Sequence, residues 1–134
     1  MSSLKDLPLL FIRLLLAYGF FKPATMKIKD FDAIAVWFAS MNYPFPKVNA
    51  YLAGITEMAG VFLLILGIGT RIISIQLMIV MIVAIFTVHF GNGFSAGDNG
   101  FEIPLYYLLM LLTLTVYGSG KISLEYLLRK KKTV

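Results

Sequence analysis

Residues 47–71, Lys-Val-Asn-Ala-Tyr-Leu-Ala-Gly-Ile-Thr-Glu-Met-Ala-Gly-Val-Phe-Leu-Leu-Ile-Leu-Gly-Ile-Gly-Thr-Arg, restrict the chain more than any other stretch. An apolar run of this length can cross a bilayer as a helix. It carries one carboxylate, Glu57, ~15 Å along the helix from Lys47. A carboxylate at that depth is costly and faces protein or a water-filled cavity, with a partner. Ala53, Gly60 and Gly67 recur every seven residues, and Glu57 lies four after Ala53 and three before Gly60. On a helix all four share a face. That face is small, allows close helix contact and holds a single acid.

The rest of the composition agrees. Of the 134 residues, 59% are hydrophobic and only 14% charged, where a soluble domain carries about a quarter charged residues. The chain reads as one domain, an integral membrane protein. Its net charge of +5 is no argument for nucleic acid, because much of it sits in Arg129-Lys130-Lys131-Lys132. Such a run beside an apolar segment marks a cytoplasmic flank facing anionic lipid. The absence of cysteine excludes disulfide exchange, thiolate metal sites and Cys-held iron–sulfur clusters.

In chain order, residues 7–26 form the first expected span, with Arg13 among leucines and Lys22 and Lys27 able to snorkel at its far end. No convincing small-x-small cleavage site follows, so it reads as a retained span rather than a signal peptide. In residues 28–41, Phe31, Ile34, Ala35, Phe38 and Met41 follow helical spacing while Lys29, Asp30, Asp32 and Ser40 are polar. This predicts an amphipathic helix at the interface, with Trp37 at headgroup level. Tyr43-Pro44-Phe45-Pro46 breaks it. The second span is expected at 47–68 and the third at 71–90, joined so tightly that they must be antiparallel neighbours. The Gly-rich loop 91–100 lacks the Gly-Lys-Ser/Thr ending of a phosphate loop. A fourth span is expected at 101–118, followed by an amphipathic, then basic, tail.

The predicted fold is thus an all-α membrane protein: an antiparallel four-helix transmembrane bundle with an interfacial helix between the first two spans. Four spans put both termini on one side, and the basic tail puts that side, with Arg71, in the cytoplasm of the inner membrane. The bases Lys22, Lys27, Lys29 and Lys47 in the outer connection oppose this orientation.

Four ionisable groups lie in or near the spans: Arg13, Glu57, His89 and Glu102. With residue 26 as the outer end of span one, Arg13 lies ~20 Å down, within ~5 Å of the depth of Glu57. An Arg13–Glu57 pair is therefore expected, with His89 and Glu102 converging from the outer ends of spans three and four. Each also has a plain structural reading: Arg13 as counter-charge, His89 as an interfacial side chain, Glu102 as an acid favoured at a helix N-terminus. No His-x-x-His or Glu-x-x-His pair is present, so no metal site is expected.

These residues form a familiar ordered set. Arg13-Leu-Leu-Leu-Ala-Tyr-Gly19 and the segment to Lys27 come first. Trp37-Phe38 before Pro44-Phe45-Pro46 follows, then Glu57-Met-Ala-Gly60 with Leu66-Gly67-Ile-Gly-Thr70-Arg71. Ala84 to His89, Gly100-Phe-Glu102 and Gly118-Ser-Gly120 complete it. The chain resembles the DoxX family of small membrane proteins, related to the DoxD subunit of thiosulfate:quinone oxidoreductase. The resemblance runs from Arg13 to Ser123, and the family's polar positions fall on Arg13, Lys27, Glu57, His89 and Glu102. It implies a single DoxX-like transmembrane domain over 1–134. For some members it also implies quinone or sulfur redox chemistry within a complex.

Two function classes follow. The first is a redox-associated subunit that binds a quinone headgroup near Glu57, His89 and Glu102. A neutral His and a protonatable acid would serve the quinone's carbonyls and protons. No redox cofactor site of its own is evident in the sequence, so electrons would come from a soluble or membrane partner protein or from a bound cofactor. The second is a non-catalytic scaffold or small-solute carrier, whose polar cluster is structural or lines a path. The bilayer is the expected partner throughout, a second copy of the chain is a candidate one, and nucleic acid is not expected.

Overall fold

Helix ends in this protein fall where local chemistry puts them. The computed structural model describes residues 2–98 and 100–133, and every regular element among them is helical. Helix α1 spans Ser2–Lys29. It ends because Asp30 leaves helical geometry and its carboxylate accepts from the Ala33 N–H (3.1 Å), capping α2, Phe31–Ser40. The helix expected to begin at residue 28 therefore begins three residues later, with 28 and 29 belonging to α1. After α2 the chain passes through left-handed Asn42 and Phe45 into α3, Pro46–Leu66, with proline at its first position.

Helix α3 stops at Gly67 (φ +71°), whose N–H and that of Ile68 both return to the Leu63 carbonyl. Gly69 (φ +58°) then caps α4, Thr70–Ala84. Two left-handed residues within three positions reverse the chain, and glycine takes that conformation at least cost. A π-helical turn, Ile85–His89, continues α4. Short 3-10 turns at Phe90–Asn92 and Ala96–Asp98 lead to α5, Glu102–Tyr117, and then α6, Leu124–Thr133.

Helix α1 packs on α3, α3 on α4, α4 on α5 and α5 back on α1, while α2 lies on α3. The contacts Arg13–Leu64 and Lys27–Glu57 make α1 antiparallel to α3. Thr115 against Met78 and Arg71 against Gly118 do the same for α4 and α5. The shared core comprises Leu16, Ala17, Phe20, Val61, Leu64, Ile73, Leu77, Leu111 and Leu114, all buried. Gly60 matters here, because a Cβ at that position would stand 2.8 Å from Leu77 Cδ1.

The outside is apolar as well. Phe11, Tyr18, Phe62, Ile72, Ile79, Phe86, Leu109 and Val116 are among many large exposed hydrophobics. A surface this apolar needs a solvent other than water. Among the described residues, two helical stretches can cross a membrane by length and composition: Pro46–Leu66 and Thr70–Thr87. The other two expected spans fall on α1 and α5. Helix α1 has 28 residues but carries Lys5, Asp6, Arg13, Lys22, Lys27 and Lys29. Helix α5 is apolar but has 16 residues, a rise of ~24 Å.

Candidate functional site

A cavity of about 1040 Å³ opens between α1, α2, α3, α4 and α5. Its walls are largely apolar and aromatic, with Phe20, Trp37, Phe38 and Tyr107 contributing rings. Thr56, Gln76, Asn49 and Thr87 supply scattered polar groups. In one wall sits the only ion pair among the described residues that joins two helices. Lys27 Nζ lies 3.0 Å from Glu57 Oε2 and 3.2 Å from Oε1. Glu57 is 2% exposed, so its charge is met by protein rather than by water.

Local sequence makes that pair possible. One turn before Glu57, Gly54 is fully packed: a Cβ there would stand 2.8 Å from Phe31 Cε1 and 3.2 Å from Lys27 Cβ. The missing side chain lets the end of α1 and the start of α2 settle on α3, and Phe31 stacks on Tyr51 with ring centroids 4.2 Å apart. On the opposite wall the Tyr107 hydroxyl lies directly over Gly19, where a Cβ would overlap it. Tyr107 also meets Phe20 at 5.5 Å. At the π-helical turn, Thr87 Oγ1 donates to the Val83 carbonyl (2.6 Å) and shares a short hydrogen bond with Tyr43 OH, which ties the connection after α2 to α4. Extra-residue turns of this kind recur beside functional sites.

The other charged positions lie elsewhere. Arg13 does not pair with Glu57. It is wholly buried at the far end of α3, where Nη1 donates to the Leu64 carbonyl (3.0 Å) and Nη2 to that of Ile122. The expected register is wrong by about two helical turns, because α3 extends beyond the end of α1 and packs its first turns against α2. Lys27, not Arg13, therefore reaches the level of Glu57. Glu102 does not join the pair either. Its Oε1 accepts from the Ala96 N–H (3.0 Å) and its Oε2 from Tyr106 OH (2.8 Å), so it fastens the preceding loop to α5. The side chain of His89 lies outside the described residues.

The DoxX family profile matches residues 8–90, well over half of the chain. This protein belongs to the DoxX family. Two relatives of Haemophilus influenzae, both described as uncharacterized proteins, extend the match. One is 35% identical over 130 residues, covering 91% of this chain and 83% of its own. The other is 32% identical over 120 residues, covering 87% of each. No solved structure matches significantly. Both Lys27 and Glu57 lie inside the part matched by the DoxX profile, while Glu102 and all of α5 lie outside it.

Sequence reasoning about this DoxX protein missed Gly19 and Tyr107, which line the cavity, and Gly54, which packs against Phe31 and Lys27 beside it. Gly54 was overlooked in favour of the seven-residue repeat through Ala53, yet Gly54 is the buried one. Gly19 and Tyr107 meet across α1 and α5, a contact with no local signature. Gly67 does share the Glu57 side of α3, beneath Arg13, whereas Gly60 turns toward α4.

Proposed function

We propose that this DoxX protein is a four-span inner-membrane subunit that binds a quinone headgroup in the cavity beside Lys27 and Glu57. The spans are taken as 7–26, 47–68, 71–90 and 101–118, with the helix around 28–41 at the outer surface and both termini cytoplasmic. One observation carries the reading: a cavity of about 1040 Å³ with aromatic walls and a single ion pair set into them. Apolar sites with a few placed polar groups suit a flat, lipid-soluble ring. Lys27 is the donor for a ring carbonyl, and Glu57 is the group that holds or passes a proton. A bound quinone would supply electron and proton acceptance. In this reading the electrons come from a partner protein or a bound cofactor.

Trp37 is the sole tryptophan and lines the cavity, which makes it a built-in reporter. A short-tailed quinone titrated into detergent-solubilised protein should quench Trp37 fluorescence saturably, and Lys27→Gln should weaken the half-saturation about tenfold, the value of one charge-assisted hydrogen bond. Linear quenching that is the same in both proteins would instead favour a pair that is purely structural. For orientation, Ser95→Cys should react with an impermeant thiol reagent in spheroplasts and Thr133→Cys should not. The reverse pattern would turn the protein over.

A further inference from the structure

A second cavity, of about 780 Å³, lies at the opposite end of the molecule, between the first turns of α1, the Gly69–Arg71 turn, the end of α5 and α6. Its polar lining is unbalanced. Lys5, Arg71, Lys121 and Arg129 contribute positive charge, against Asp6 and Glu125. Glu125 is engaged with Arg129 (3.8 Å) and with Ser119 Oγ (3.4 Å). Lys5, Arg71 and Lys121 have no carboxylate partner among the described residues. Two glycines shape the crevice. A Cβ on Gly118 (φ +78°) would stand 3.0 Å from Arg71 Nε, and one on Gly120 (φ +82°) would stand 3.3 Å from Asp6 Oδ1. Arg71 thus lies close over Gly118, and no acceptor among the described residues takes its guanidinium N–H groups.

Asp6 adds the deciding detail. It is 8% exposed, its Oδ1 accepts from the Lys121 N–H (3.1 Å), and its Oδ2 is buried with no donor among the described residues. An unpaired buried carboxylate oxygen costs free energy unless a donor reaches it. The crevice therefore offers cations for an anion and, beside them, an acceptor for an N–H or O–H group. Leu9, Ile12 and Ile72 flank these groups with apolar surface.

We infer that this crevice binds a phosphate diester that also carries an amine or hydroxyl donor, the chemistry of a membrane phospholipid headgroup. Arg71 and Lys121 hold the phosphate, Arg71 in the bidentate manner open to a guanidinium. Asp6 takes the headgroup's ammonium or hydroxyl. The apolar flank takes the start of the acyl chains, which a free phosphate ester lacks.

The test uses full-length protein in detergent, with melting temperature followed as probe is added. The probes are phosphatidylethanolamine, phosphatidylglycerol, phosphatidylcholine and soluble glycerol phosphate. Phosphatidylethanolamine and phosphatidylglycerol should stabilise saturably, and phosphatidylcholine, with the same phosphate but no donor, should do so less. Arg71→Gln and Lys121→Gln should each raise the half-saturating lipid fraction about fivefold, and Arg71→Lys should recover part of the loss. If glycerol phosphate, a soluble monoester without acyl chains, stabilises as strongly as the lipids, the phospholipid assignment is overturned and the crevice is a site for a soluble phosphate ester. The site is overturned if no probe stabilises the protein, or if the Arg71→Gln/Lys121→Gln double variant responds as wild type does. Lys27→Gln, in the other cavity, should leave the lipid response unchanged, which separates this site from the quinone reading.

Discussion

Helix α1 turns two cations toward α3, Arg13 wholly buried near its middle and Lys27 half-buried near its C-terminal end, and the two are neutralised differently. Arg13 has no carboxylate. It is wholly buried, and Nη1 donates to the Leu64 carbonyl in the last turn of α3 and Nη2 to the Ile122 carbonyl just before α6, while Nε has no acceptor among the described residues. A cation at a helix C-terminus meets the negative end of the helix dipole and carbonyls that lack helical partners. Lys27 meets a full carboxylate on the middle of α3, and the pair faces a cavity rather than packed backbone. The first arrangement fills its space and leaves no room for a ligand. The second leaves an ammonium and a carboxylate within reach of one. Burial alone therefore does not separate a structural charge from a candidate functional one. The deciding difference is whether the partner is backbone inside the core or a titratable group at a cavity wall.

The sharpest way to break this contrast is at Arg13. Arg13→Gln removes two charge-assisted bonds and leaves the Leu64 and Ile122 carbonyls short of donors, an expected loss of about 3–6 kcal/mol. Most of the protein should then fail to elute as a monodisperse species from fluorescence-detected size exclusion. A variant that elutes and melts as wild type does would show that Arg13 is not a structural clamp.

Next in size is the ion pair. Glu57→Gln strands Lys27, whose side chain is 14% exposed and can turn into the cavity, so the cost should fall near the low end for broken buried pairs, about 3 kcal/mol. Lys27→Met with Glu57→Leu should melt higher than the sum of the single changes allows, yet should lose saturable quinone quenching of Trp37. Arg13 and Glu57 should behave oppositely. They act at levels seven residues apart on α3, ~10 Å, so their effects on melting should add. Strong coupling between them would restore the pair expected from sequence depth.

The smallest effect belongs to Gly54→Ala. Its new methyl must displace the Phe31 ring and the Lys27 stem, at about 1–2 kcal/mol. Because Lys27 is pushed off its line to Glu57, the quinone half-saturation should worsen more than the melting temperature falls. A variant that loses stability but binds normally would detach Gly54 from the site.

Much was legible in the chain because bilayer chemistry is local and additive. Long uncharged runs and helix-breaking prolines and glycines announce helices and their ends without reference to neighbours. The resemblance carried by Arg13, Glu57-Met-Ala-Gly60 and Gly100-Phe-Glu102 was enough to identify the DoxX family. The sequence also singled out Glu57 as an acid needing a partner, because its cost depends only on depth.

Which partner it takes was decided by tertiary structure. Depth counted from residue 26 matched Arg13 to Glu57, but α2 folds back on the start of α3 and moves α1 along it, bringing Lys27 to that level. Stagger between helices is set by the packing of Phe31, Gly54 and Tyr51 together, and none of these reveals it alone. The same holds for Glu102, which looked like a member of the cluster and instead fastens the loop before α5. Sequence could determine which side chains must be satisfied. Only the packed helices could determine by what, since hydrogen bonds and ion pairs form over about 3 Å while a register error of one helical turn is ~5 Å.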